Sequence, residues 1–178
     1  MHTLTARLAA HGIDLARFGR GEAKSIAHLL AELESGEAEL IERDGQLIRR
    51  LAVLNIDVFA EIGGRRLHLA EDRQVFADGR LRRRDLPASV SEKLHKGEDR
   101  NAAVTRALAE ETGIYRFTAI STFAETASVR ESASFPGLLS EYAAHHISVL
   151  IDPAEYREEY REDQPDKSTW FVWREATA

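Results

Sequence analysis

Gly97 to Ile114 reads GEDRNAAVTRALAEETGI. The Gly-Glu pair opens a turn that leads into about four helical turns, and Gly113 stops them. Arg106 and Glu110 fall four residues apart and share one helix face, with Glu111 beside them. Ala103, Ala107 and Leu108 mark the buried side, while Ala102 and Ala109 keep the helix slim enough to lie close against a sheet. Two adjacent carboxylates on the helix, with Glu98 in the turn before it, gather the oxygen ligands that a hard divalent cation takes.

This stretch resembles the Nudix box of diphosphate hydrolases, G-x5-E-x7-R-E-U-x-E-E-x-G-U, where U is a bulky aliphatic residue. Aligned on Gly113, the chain supplies Glu98, Arg106, Leu108, Glu110, Glu111, Gly113 and Ile114 in register, seven of the nine fixed positions. Glu92 stands where the box opens with Gly. Ala107 stands where the family carries a Glu that helps hold the metal or acts as base. The resemblance implies an α+β fold, a Nudix-type α/β/α sandwich with a mixed sheet. It also implies Mg2+ or Mn2+ as cofactor, weakly held or absent with Ala107 in the box, and Glu98, Glu110 and Glu111 as its ligands. Arg106 is expected to pair with a box carboxylate and fix its rotamer.

Ahead of the helix, the family's Gly-Gly-Lys becomes Ser91-Glu92-Lys93, so only Lys93 is retained. Pro87 to Lys96 is expected to be a loop, with Glu92 facing solvent. Arg80, Arg82, Arg83 and Arg84 form a dense basic cluster just before it. Guanidinium groups grip phosphate oxygens bidentately, which makes Arg82, Arg84 and Lys93 candidates for substrate binding. A charged edge strand that discourages pairing fits the same residues equally well.

Further upstream the period is two. Asp44-Gly45, Gly63-Gly64 and Asp78-Gly79 punctuate a run of hairpins whose longest strand is Leu47 to Ile62. Before that lie two short amphipathic helices, over residues 3–11 and 25–33, giving an N-terminal helical extension over 1–36 and a Nudix-like domain over 37–178. The Gly19-Arg20-Gly21-Glu22 loop ahead of the second helix lacks the spacing of a phosphate loop and reads as a connector.

Downstream, Tyr115 to Val129 reads as strand and Arg130 to Leu139 as a turn forming a lid over a pocket. Tyr142 to Ile151 is a strand, Ala154 to Arg161 a charged helix, and Thr169 to Trp173 a strand of alternating aromatics. His145 and His146 should point to opposite faces of their strand, so at most one meets a pocket. Both are candidates for substrate binding, and His95, in the loop entering the box, is a candidate catalytic group beside Glu110, Glu111 and Arg106.

The 178 residues, 30% charged with a net charge of −6 and no cysteine, suit a soluble globular protein without disulfides or thiolate metal sites. No apolar run nears the ~20 residues of a membrane span, and no signal peptide is evident, so the expected location is cytoplasmic. The acidic balance argues against nucleic-acid or membrane partners and for a small-molecule substrate. The N-terminal helices and C-terminal aromatics are the surfaces expected for a homodimer. Three functions fit: metal-dependent hydrolysis of a diphosphate-linked small molecule of nucleoside diphosphate type; a non-hydrolytic reaction, such as isomerisation or cyclisation, in the same pocket; and a ligand-sensing or binding module with a vestigial box.

Overall fold

The computed structural model describes residues 2–84, 86 and 88–176. Pro87, at the head of the expected loop, and residues 177–178 lie outside the described residues. The fold is α+β, with a mixed sheet and, among the described residues, three α-helices. Contacts divide the chain into two compact units: Met1–Val53, Lys93–Glu98 and Glu125–Ala144 in one, Leu54–Glu92, Asp99–Ala124 and His145–Ala178 in the other.

The first unit holds α1 (His2–Ala10) and α2 (Ile26–Glu34). Ser25 caps α2, and His28 reciprocates by accepting from the Ser25 N–H at 3.3 Å. β1 (Glu39–Arg43) meets the start of β2 (Gln46–Ile62) through Asp44-Gly45, both at positive φ (52° and 75°), the left-handed turn that a tight hairpin demands. Leu4, Leu8, Phe18, Leu29, Leu47, Phe135 and Leu138 form this unit's core. The helices are therefore built into a core shared with strand residues. Phe135 and Leu138, expected in a lid, are fully buried there; apolar bulk pulled that turn inward.

Beneath α2 lies a buried charge network. Glu32, with its side chain 6% exposed, accepts from Arg49 Nη2 at 2.5 Å, Lys93 Nζ at 2.6 Å and Lys24 Nζ at 3.0 Å. Burial alone would raise the Glu32 carboxyl, but the Lys93 hydrogen bond and the Arg49 and Lys24 contacts overcome it and hold the group at about 2.

The sheet has the strand order β6-β8-β2-β3-β10-β9, where β3 is Arg65–Phe76, β6 Phe117–Ala119, β8 Leu139–Ile151, β9 Glu159–Asp163 and β10 Lys167–Glu175. Leu54, Ile56, Val58 and Ala60 of β2 alternate inward with no exposure. β4 (Leu81–Arg82) pairs with β3, and β5 (Val90–Lys93) pairs with β2, so the expected loop into the box contains a strand. α3 (Arg100–Thr112) follows.

Two other expectations fail. The strand expected over 115–129 breaks after Ala119 and resumes as β7 (Ala124–Glu131). Ala154 to Arg161 is no helix: a single 3-10 turn, Pro153–Glu155, precedes β9. There Tyr160 is buried and its hydroxyl donates to the Glu155 carbonyl at 2.9 Å, so an extended backbone with one anchored aromatic outweighs the helical charge pattern. Among the described residues no helix is long and apolar enough to cross a membrane.

Candidate active site

Asp99 caps α3, accepting from the Asn101 and Ala102 amides at 3.0 Å each. At the other end Gly113, at φ 68°, donates to Ala109, and Ile114 N–H closes on the Leu108 carbonyl at 3.4 Å. Ala103, Val104, Ala107, Leu108 and Thr112 are buried, which turns the opposite face outward.

On that face Arg106 Nη1 lies 3.0 Å from Glu110 and 3.6 Å from Glu92. Glu92 thus faces the box helix and not solvent. As a residue of β5 its side-chain direction is set by the pleat, and the guanidinium holds it there. Glu110 is the exposed member, at 59%.

Glu111 is half-buried and sits at the centre of the carboxylates. Burial, the charges of Glu162 and Glu92, and a hydrogen bond with Glu162 push its carboxyl up to about 8, against the opposing pull of Lys167. Arg84 lies near enough for its charge to act on Glu111, while its guanidinium forks onto the buried Glu71 carboxylate. Gln74 donates to Glu71 at 3.5 Å and to Thr169 at 3.4 Å, and Thr169 stands opposite Glu162 in the β9–β10 pair. A bulge between Trp170 and Phe171 irregularises β10 beside these residues.

Glu92 and Glu162 are the members that the box spacing does not name. Glu162 lies just past a stretch read as helix. Its strand alternation with buried Tyr160 was the signal that could have found it.

The remaining candidates lie as follows. Glu98 accepts from the His95 amide at 3.0 Å, and His95 Nδ1 lies 3.3 Å from the Ser35 carbonyl, both within the first unit. Lys93 binds Glu32 and Glu37, at 2.6 and 2.7 Å, in that same unit. The arginine cluster is largely engaged by its own hairpins: Arg80 with Asp78 at 2.7 Å, Arg83 with Asp72 at 2.5 Å, and Arg84 with Glu71. Arg82 stands opposite Gln74 in the β3–β4 pair. His145 is buried and His146 half-buried, on opposite faces of β8 as the alternation requires.

Trp170, on the aromatic strand, lies under both Arg73 and Arg161, at 4.6 and 4.9 Å, and Trp173 stacks on Tyr156 at 5.7 Å. These rings are consumed by packing within the chain.

A second grouping, Asp57, His68 and Ser89, has the residue types of a hydrolytic triad but not its wiring. His68 Nε2 lies 3.1 Å from both Asp57 and Ser89, so one nitrogen would serve both partners. Ser89 is 1% exposed and its hydroxyl donates to the Leu69 carbonyl at 2.5 Å. It is a structural bridge between β2 and β3.

Ala107 has no exposed surface. Ala107→Glu, which restores the family pattern on paper, is therefore expected to cost about 2 kcal/mol or more of stability by overpacking and burying a carboxyl. Urea denaturation checks this, and an activity assay of the same variant should show no gain.

No family model matches the sequence, and no curated protein matches it. Solved structures that it resembles include an Ap4A hydrolase from C. elegans, at 13% identity and TM-score 0.39, covering 70% of this chain and 80% of that one. A binary complex of a C. elegans Ap4A hydrolase matches at 15% identity and TM-score 0.36, with the same coverage. The NUDIX domain of Shewanella oneidensis NrtR, complexed with ADP ribose, matches at 12% identity and TM-score 0.39, covering 69% of this chain and 73% of that one.

Proposed function

We propose that this chain is a Nudix-type enzyme that breaks a diphosphate linkage in a small molecule of the nucleoside diphosphate type, with the chemistry centred on Glu111. The observation that carries the reading is the gathering of Glu92 and Glu162 around the half-buried Glu111, on a helix that together with its flanking turns keeps seven of nine box positions.

Among the described residues no three His, Asp or Glu side chains form a ready-made metal cage. The donor chemistry nonetheless suits a hard cation: every group is a carboxylate, and the crowding that raises Glu111 is a local deficit of positive charge. Glu92, Glu111 and Glu162 would hold Mg2+ or Mn2+, which when bound neutralises phosphate oxygens and acidifies water. Arg106 orients Glu92 and Glu110 in this scheme. Arg84, fixed by Glu71, and Arg82 provide the positive rim for the substrate phosphates.

A second reading, a non-hydrolytic reaction, is favoured by one observation. A carboxyl raised to about 8 is largely protonated near neutrality and can donate a proton to a bound metabolite.

The test is calorimetric titration with Mg2+ and with Mn2+, for wild type and Glu162→Gln, beside incubation with ADP-ribose and Ap4A. Metal binding weakened about tenfold or more in Glu162→Gln, with metal-dependent product, is the expected result. Neither binding nor product would overturn the hydrolase reading. Metal-independent turnover of a metabolite would favour the second.

A further inference from the structure

The contacts around Ser89 fix where His68 carries its proton. The Val58 amide donates to Ser89 Oγ at 2.9 Å, and the hydroxyl gives its only proton to the Leu69 carbonyl at 2.5 Å. What remains on Ser89 is a lone pair, and His68 Nε2 lies 3.1 Å from it. Asp57 Oδ1 is also 3.1 Å from that nitrogen, and a carboxylate only accepts. Both partners therefore require a hydrogen on Nε2. In the neutral ring the lone pair is then on Nδ1. Among the described residues nothing donates to Nδ1, and the side chain is 27% exposed, so solvent reaches the ring.

The imidazole lies on the outward face of its sheet. Val58 and Ala60 of β2 turn inward with no exposure, which turns Asp57 and Phe59 outward. His68 stands opposite Phe59 on one side and Arg174 on the other, so all three share that face. The Phe59 ring, with its centroid 5.0 Å from the imidazole, holds the plane of His68. Arg66 lies two residues along β3, its guanidinium 4.7 Å from the Phe59 centroid, and Glu61 stands opposite it as counter-charge. Arg174 is exposed beside His68. Among the described residues no three metal-ligating side chains gather here, so the donor set does not favour a cation. An oriented imidazole with a carboxylate behind it and a guanidinium beside it suits an anionic electrophile.

We propose that His68 is a phosphoryl-acceptor site, modified on Nδ1 by an acyl phosphate. The Nδ1 lone pair forms the P–N bond, the P–O bond to the acyl group breaks, and a carboxylate leaves with that electron pair. No proton has to move. Nε2 keeps its hydrogen, and the ring becomes a cation whose charge the Asp57 carboxylate offsets. Arg174 supplies positive charge for the phosphoryl oxygens. Every residue of the site belongs to the second unit, and the inference does not depend on the chemistry proposed for Glu111.

The test is incubation of the full chain with acetyl phosphate, followed by intact mass, peptide mapping and 31P NMR. One phosphoryl group should be added to His68, lost in acid and retained in alkali, with its phosphorus coupled to the ring protons as Nδ1 attachment requires. His68→Gln keeps a side-chain N–H for Asp57 and Ser89 but has no ring nitrogen to attack. It should melt at the wild-type temperature and take no label. Asp57→Asn should slow labelling about tenfold or more, because the charged ring loses its counter-charge. No label on wild type, label that persists in His68→Gln, label on Nε2 or on a carboxylate, or labelling of Asp57→Asn at the wild-type rate would each overturn the proposal.

Discussion

Glu111→Gln should lose activity by about three powers of ten and yet become harder to unfold at alkaline pH. The two effects share one cause. Burial and the neighbouring Glu162 and Glu92 push the Glu111 carboxyl up to about 8 from its ordinary 4.5, with Lys167 acting against them and Arg84 also within range.

A carboxyl raised by folding leaves stability intact below the unfolded value, where both states hold the proton. As pH climbs from about 4.5, the unfolded chain releases its proton while the folded one retains it, and stability drains until the folded carboxyl ionises near 8. Gln removes the titration altogether. Its stabilising effect should be absent near pH 4, grow through neutrality and reach on the order of 1–3 kcal/mol above pH 8. Urea midpoints of wild type and variant at three pH values check it. A variant no more stable than wild type at every pH would show that Glu111 is not held against its charge.

Glu32→Ala is expected to give the largest loss of stability, about 3–5 kcal/mol, because it strands buried cations without their counter-charge. Arg49 is 3% exposed, and Lys24 and Lys93 also converge on Glu32. The sign of the pH dependence is opposite to that of Glu111. With its folded carboxyl held at about 2 against an ordinary 4.5, Glu32 contributes fully above about 4.5, and the contribution fades as pH falls toward 2. Lys93 also holds Glu37, whose carboxyl is lowered despite its burial, so acid should loosen both contacts together. The gap between wild type and variant should therefore be wide at neutral pH and narrow in acid, as read by chemical denaturation.

How much of this was legible beforehand depends on how local the cause is. The Asp44-Gly45 hairpin, the Ser25-capped helix and the Gly113 stop are written in neighbouring residues, and the chain adopts them. The Ala154–Arg161 stretch carries helical charge spacing, but the burial of Tyr160 and pairing with β10 decided for a strand at its end. Likewise no local signal says that Phe135 will sink among Leu4, Leu8 and Leu29.

The site divides along the same line. Arg106 and Glu110 are related by helix periodicity, and their spacing alone places them together, with Glu111 next in the chain. Glu92 comes from the preceding strand and Glu162 from 51 residues beyond Glu111 (162 − 111), brought close by sheet pairing. Lys93 was legible as a cation but not as one already claimed by Glu32 and Glu37, since those partners lie 61 and 56 residues earlier in the sequence.

The position of β9 at the end of the strand order has a kinetic meaning. A terminal strand is bonded on one side only, and such segments open more often than the sheet interior. Each opening removes Glu162 from Glu111 for as long as it lasts. What holds β9 in place includes Tyr160, through its buried ring and its bond to Glu155, so loosening it is expected to lower the fraction of time that the carboxylates are assembled. Apparent affinity for any ligand that needs all three carboxylates scales with that fraction. On the proposed function, an aromatic side chain with no acid or base role would thus set how often the chemistry is available.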